Sequence, residues 1–295
     1  MSKPIDRHPV HGLTPGGPNP DIWYRSIGTS VGAGRRAIVT NVNVMIHRRA
    51  FLLSAAVLPL AGCGLLDRDS SGFEDPGPQP ECRTPAELVS FKAIDGAPLT
   101  YEPTGKKQSF RADPRFVGLL DDWADDWAGL SGLGAITGIS TYGAYVDKCP
   151  SMHAAGRAFD FGVVTHKKGE VSCRGDLWGD DADRLRSYWR LAASLSAHFT
   201  YTLTLAYNQL HLNHIHVDDV VSEGEEPTFD KDSRAQCLVV QNVVRHVFGR
   251  KCPDTAAYDA ATKDVVRDIQ RDVGIKAPLA EPDGWRAFLR AAASA

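Results

Sequence analysis

Residues Ser151–Asp160 read SMHAAGRAFD, and the overlapping run Ala158–Val164 reads AFDFGVV. His153 and Asp160 flank Gly156, and the β-branched and aromatic residues that follow predict a strand. Side chains alternate along a strand, so Phe159, Phe161 and Val163 share one face. Asp160 then lies on the opposite face, beside Ala158 and Gly162. A carboxylate among apolar neighbours needs a partner, because burying an unpaired charge is costly.

A second stretch supplies one. His211–Asp218 reads HLNHIHVD. In an extended chain His214 and His216 project to one side, while Ile215 and Val217 enter the core. His211 has the parity of the core residues, so it is the weaker candidate unless the backbone kinks near Asn213. His153, Asp160 and one histidine of the His-x-His pair make three N/O ligands. That is the ligand count of a catalytic zinc, which keeps a fourth position open. His166, His198 and His246 have no motif partner and read as surface or cap residues. There is no His-Glu-x-x-His and no Gly-x-Ser-x-Gly, so zincin and serine-hydrolase chemistry lack their usual anchors.

The surrounding pattern is that of an α+β fold. Asp113-Pro114 predicts a helix start, an N-cap followed by proline at the first helical position. Phe116, Leu119, Leu120, Trp123 and Trp127 form its apolar stripe, with Asp121, Asp122, Asp125 and Asp126 expected as solvated charges. Ala135–Val146 (AITGISTYGAYV) predicts a strand, Asp183–Phe199 a helix, and Thr200–Tyr207 (TYTLTLAY) an alternating strand with Tyr201, Leu203, Leu205 and Tyr207 on one face. The expected arrangement is a small antiparallel sheet flanked by helices.

With 43% hydrophobic and 23% charged residues the chain is ordinary globular protein, and 295 residues allow two domains. A net charge of −3 offers no basic excess for phosphates, which argues against a nucleic-acid partner. Residues 1–44 are rich in Gly, Pro and polar residues and are expected to lie upstream of the true start. Residues 45–63 (MIHRRAFLLSAAVLPLAGC) combine Arg48 and Arg49 with a short apolar run too short for a permanent span. This segment resembles a twin-arginine export signal ending in a bacterial lipobox, which implies an exported protein lipidated on Cys63 and held to the membrane. A buried helix ending in Gly-Cys is the competing reading. Residues 64–80 read as a tether, and the acidic stretch 222–234 as a linker. Six cysteines without a C-x-x-C pair suit disulfides in an exported protein. Cys237–Cys252 is an attractive local bridge and Cys149–Cys173 would brace the ligand region, leaving Cys82 unpaired.

His153-x6-Asp160 followed by His214-x-His216 resembles the superfamily of lysostaphin-type peptidases, D-Ala-D-Ala metallopeptidases and the hedgehog signalling domain. SMHAAGRAFD is similar to the Ser-x-His-x-x-Gly-x-Ala-x-Asp motif of the zinc D-Ala-D-Ala carboxypeptidases. Together with HLNHIHVD and the preceding STYGAYVDKC, residues 81–221 look closest to the extensin-like C-terminal domain family. The resemblance implies zinc on His153, Asp160 and His216, and His214 beside the reacting water or the transition state. Ser151 and Gly156 would shape the ligand loop, with Arg157 and Asn213 also near the substrate. One departure stands out: carboxypeptidases of this group carry a glutamate base where this chain has Asn213. Either His214 takes that role or another carboxylate such as Asp218 reaches in.

Residues 235–295 are helical in pattern, with Val239, Val240, Val243 and Val247 on one stripe. Thr262, Val266, Ile269, Gln270, Gly274, Trp285 and Leu289 match places in the three-helix peptidoglycan-binding domain, which this segment resembles. A helical extension burying part of the preceding domain is the alternative. The expectation is an exported, lipid-anchored zinc metallopeptidase acting on peptidoglycan at the cell envelope. The alternative is a non-catalytic zinc-containing envelope-binding lipoprotein of the same fold.

Overall fold

The computed structural model describes residues 81–220 and 226–295. The expected export signal, Cys63, the tether and part of the acidic linker lie outside the described residues. The described chain falls within one compact unit, Leu66–Ala295. No helix among the described residues is long and apolar enough to cross a membrane.

In chain order the first elements are strands β1 (Val89–Phe91), β2 (Ala93–Ile94), β3 (Ala97–Tyr101), β4 (Lys106–Lys107) and β5 (Phe110–Ala112). Helix α1 (Pro114–Leu130) and strands β6 (Ile136–Gly143), β7 (Ala158–His166) and β8 (Gly169–Ser172) follow. Next come the short α2 (Gly175–Trp178), α3 (Ala182–Ser196), β9 (Tyr201–Leu203) and β10 (Ile215–Asp218). Helices α4 (Arg234–His246), α5 (Ala260–Asp272) and α6 (Pro282–Ser294) complete the chain.

An eight-stranded sheet runs β2-β3-β6-β7-β10-β9, with β4 added to β3 and β8 to β7. It is larger than expected and not wholly antiparallel, because β3 and β6 pair in parallel. Parallel neighbours need a crossover connection, and the segment between them contains α1. That helix starts as the sequence predicts: the Asp113 side chain accepts from the backbone N–H groups of Arg115 and Phe116, and Pro114 follows. Its buried stripe, Phe116, Leu120, Trp123 and Trp127, joins Phe159, Phe161, Ile215 and Val217 in the main core. Trp123 meets Phe161 edge-on at 4.8 Å between ring centroids.

The opposite face of α1 is less solvated than its charges suggest. Asp126 is held by Arg290 and by His198 at 3.1 Å, and Asp121 accepts from the backbone of Asp95. His166 is not on the surface but buried: its Nε2 accepts from Trp127 Nε1 at 3.1 Å, and its Nδ1 donates to the Gly134 carbonyl. His246 stacks on Trp189.

The three tail helices share this core. Val239, Val240 and Val243 of α4, Val266 and Ile269 of α5, and Trp285 and Leu289 of α6 are continuous with it. Helices α4 and α6 both pack against α3. Arg186 and Arg190, one turn apart on α3, reinforce the contact by donating to carbonyls that end three other helices. Arg186 reaches Val247 after α4, while Arg190 reaches Ala293 of α6 and Leu130 and Ser131 of α1. The tail expected to stand apart is thus built into the same core as the sheet.

The Thr200–Tyr207 stretch is corrected. Its strand ends at Leu203, and both faces are covered: Tyr201, Leu203 and Tyr207 pack with Ala235 and Leu238 of α4, while Thr202 and Thr204 are buried on the other side. The cysteine pairing is corrected as well. Cys82 is bonded to Cys149, while Cys173, Cys237 and Cys252 are not disulfide-bonded. Cys173, directly after β8, is fully buried. Cys237 points at the Lys231 carbonyl, and Cys252 at the Thr262 hydroxyl.

Candidate metal centre

The site forms where β10 pairs antiparallel with β7. His216 stands directly opposite Asp160 in that ladder, and the flanking pairs Ile215–Phe161 and Val217–Phe159 face the core. The parity read from the two motifs therefore holds at Asp160 and His216, but it shifts past Phe161, where β7 is irregularly paired with β6 and Val164, not Val163, enters the core. His153 approaches from the loop between β6 and β7, and its Nε2 lies 3.4 Å from Asp160 Oδ2 and 3.2 Å from His216 Nδ1. His216 Nδ1 lies 2.9 Å from Asp160 Oδ1. One donor atom from each of His153, Asp160 and His216 falls within 4.8 Å of the others, a group able to hold a metal ion.

The outer nitrogens support that arrangement. His153 Nδ1 donates to the Ala144 carbonyl, and His216 Nε2 donates to Asp218 Oδ2 at 3.1 Å. Each imidazole thus has one nitrogen committed to an acceptor and the other turned toward Asp160. This is the outer-shell pattern that fixes tautomer and orientation in metal sites. Asp218, weighed from the sequence as a base, is here the partner that orients His216.

Electrostatics agree. Burial raises the pKa of Asp160, but hydrogen bonds from His153 and His216 outweigh it and hold the carboxyl well below the usual range. Burial lowers that of His216, yet its contacts with Asp160 and Asp218 win and push it up to about 10. Two carboxylates around one buried imidazole call for a positive charge at that spot, which a proton or a metal ion satisfies.

The loop holding His153 is shaped by the residues the motif singled out. Ser151 Oγ donates to the Lys148 carbonyl and accepts from Ala154 N. Gly156 has φ +71°, and a Cβ there would lie 2.6 Å from Leu88 Cδ2 and 3.0 Å from Asp113 N. Arg157 pairs with buried Asp219 at 3.0 Å, a carboxylate shared with Arg115, and so ties the ligand loop to the end of β10.

His214 faces the group, with Nε2 3.7 Å from Asp160 Oδ1 and Nδ1 2.8 Å from Asn213 Oδ1. With Nδ1 donating to Asn213, the Nε2 lone pair points into the site. Burial lowers the His214 pKa, an effect the Asp160 charge opposes. Tyr142 lies beside it at 5.6 Å between rings, on the strand next to β7.

His211, the weaker candidate by strand parity, is brought to the group by the structure. Its ring is 5.1 Å from His214 and 6.0 Å from His216, because the chain turns through a short 3-10 helix (Gln209–His211) instead of staying extended. Asn208 caps that turn by accepting from Leu210 N and contacts His211 Nδ1 at 2.7 Å. An Asn three residues before a histidine was the available signal. Burial and the neighbouring imidazoles depress the His211 pKa to about 3. Neither protein-family profiles, curated proteins nor solved structures give a match to this chain.

Proposed function

We propose that the chain is a zinc-dependent peptidase that hydrolyses amide bonds in peptidoglycan stem peptides or cross-links at the cell envelope. The carrying observation is the His153–Asp160–His216 group with His214 Nε2 turned toward it. The donor set of two imidazoles and one carboxylate suits zinc, and three protein ligands leave a position for substrate. Bound zinc would supply Lewis-acid polarisation of the scissile carbonyl.

The chain's own residues supply the rest. His214 is placed to accept a proton at Nε2, since Nδ1 is committed to Asn213. Asn213, which cannot itself take a proton, thereby becomes the orienting partner of a histidine base. His211 and Tyr142 flank His214 and narrow the space in which a substrate amide would lie. The fold is read as hedgehog/D,D-peptidase-like and the family as extensin-like, on the two motifs and the strand pairing that unites them. Export and a lipid anchor on Cys63 follow from the signal-like segment and place this chemistry against the wall.

Digestion of purified peptidoglycan with and without chelator, followed by mass analysis, tests the reading. Chelator-sensitive release of stem-peptide fragments is expected. Tight sacculus binding with no release would instead favour the non-catalytic envelope binder, a reading that Asn213 in place of a carboxylate supports.

A further inference from the structure

Glu102, Arg174 and Asp176 form an ion-paired cluster next to the metal group. Arg174 Nε and Nη2 donate to the two carboxylate oxygens of Asp176 at 2.9 and 2.8 Å, and Nη1 donates to Glu102 Oε1 at 3.0 Å. One guanidinium thus serves two carboxylates whose side chains are only 19% and 33% exposed, and neither pairs with a second cation among the described residues. Partly buried charge of one sign is costly, so the cluster is one cation short.

The register of β7 places it. Ser140 of β6 pairs with Val163 and Thr141 with Phe161, so Gly162 between them has no partner on β6, a bulge two residues from Asp160. Cys173 N donates to the Gly162 carbonyl at 2.8 Å, which brings Arg174 to the bulge from one flank. Glu102 N donates to the Thr141 carbonyl at 2.9 Å, which brings Glu102 from the other. Over Gly162 an added Cβ would fall 2.7 Å from Ser140 Oγ and 3.3 Å from Glu102 Oε2, so glycine keeps this spot clear. Ser140 Oγ is buried and has no hydrogen-bond partner among the described residues, and Glu102 Oε2 has none either. Tyr142 connects the cluster to the metal group. Burial raises its phenol above the usual range, Arg174 opposes the shift, Glu102 and Asp176 add to it, and the Asn213 side chain also acts on it. The same ring lies 5.6 Å from that of His214.

We propose that Glu102 and Ser140 bind a primary ammonium group of the peptide substrate and so select which peptides reach the metal group. The ammonium donates to Glu102 Oε2 and Ser140 Oγ, the two atoms left without partners. Arg174 stays on Asp176 through two bonds and gives up at most its single bond to Glu102. Two cations then face two carboxylates, and the cluster is neutral. A substrate carboxylate arriving here would instead add to the excess of negative charge. Gly162 lies about 7 Å along β7 from Asp160, the span of roughly two extended residues, so the ammonium belongs to a residue near the scissile amide. The assignment rests on the peptidase reading above and makes the cluster a selector of substrate, not part of the hydrolytic machinery.

The test is calorimetric titration of the chelator-treated full chain with a lysine-containing synthetic stem pentapeptide and its Nα-acetyl, Nε-acetyl and diacetyl forms. The free-amine peptide is expected to bind about tenfold more tightly than the diacetyl form, and the monoacetyl form that loses this margin identifies the amine concerned. Glu102→Gln, which keeps the shape and the bond to Arg174, should erase the preference and leave diacetyl binding unchanged. Arg174→Gln should widen it, because the carboxylates then lack their one cation. Ser140→Ala should narrow it without lowering the melting temperature. Equal binding of all four forms, a preference that survives Glu102→Gln, one narrowed by Arg174→Gln, or no binding of any form overturns the proposal. Chelator-sensitive hydrolysis of all four forms at equal rates sinks this subsite alone, while amine-dependent binding without hydrolysis of any form sinks only the peptidase reading.

Discussion

His216 and Asp160 are cross-strand partners whose facing atoms are 2.9 Å apart, and His216 is held from behind by Asp218 at 3.1 Å. Two of the three candidate ligands, Asp160 and His216, are thus set by sheet register, while His153 comes from the loop between β6 and β7. A one-residue slip of β10 against β7 would send His216 to the core and Ile215 to the site. Burial of Ile215 and Val217 without exposed surface opposes that slip.

His216→Ala should therefore abolish stoichiometric zinc, whereas Asp218→Asn should keep the ligand set and weaken affinity roughly tenfold to a hundredfold. Metal content after dialysis and competition with a zinc chelator measure both. Unchanged zinc in His216→Ala would falsify the ligand assignment.

Trp127 and His166 give a pH prediction remote from the site. Burial lowers the His166 pKa from 6.5, so the folded state favours the neutral ring that accepts from Trp127. The stabilisation is present above pH 6.5 and is lost as the pH falls toward the depressed folded value. Thermal melts between pH 7 and pH 5 should show a loss that His166→Gln reduces. Trp127→Phe should cost about 1 to 3 kcal/mol at pH 7, since it leaves the buried His166 acceptor unpaired.

Much of this was legible because strand parity and helical period report burial directly. The helix after Asp113-Pro114, the strands around Asp160 and His216, and the three tail helices all follow from such patterns. Three features were not. His166 looked bare because its partner, Trp127, is 39 residues away and was counted only as core. His211 obeyed the parity of an extended chain that turns at Asn208. The Cys82–Cys149 bridge depends on the N-terminal segment folding back over the ligand loop, and no local spacing encodes that contact.

That bridge gives a third prediction. Cys82 and Cys149 are 67 residues apart, and in the chain-entropy account closing such a loop stabilises by about 4 kcal/mol. Arg83 continues the strap: its N–H donates to the Ala154 carbonyl, and its side chain pairs with Asp113. Cys82→Ser should lower the melting temperature markedly and weaken zinc affinity by loosening the loop that holds His153. Cys173, Cys237 and Cys252, which are not disulfide-bonded, predict three reactive thiols after unfolding of this region without reductant.

Gly156 offers the sharpest test of the ligand loop. Its φ of +71° disfavours any side chain, and a methyl group would strike Leu88 Cδ2. Gly156→Ala should cost about 2 to 4 kcal/mol, combining left-handed backbone strain with overpacking. Trimming Leu88 to alanine in the same chain relieves the collision but leaves the backbone strain. The double variant should therefore recover part of the zinc affinity lost in Gly156→Ala, as read by chelator competition. A full recovery would place the whole penalty in the Leu88 contact. No recovery would mean that the backbone conformation at Gly156 alone aims His153 at Asp160.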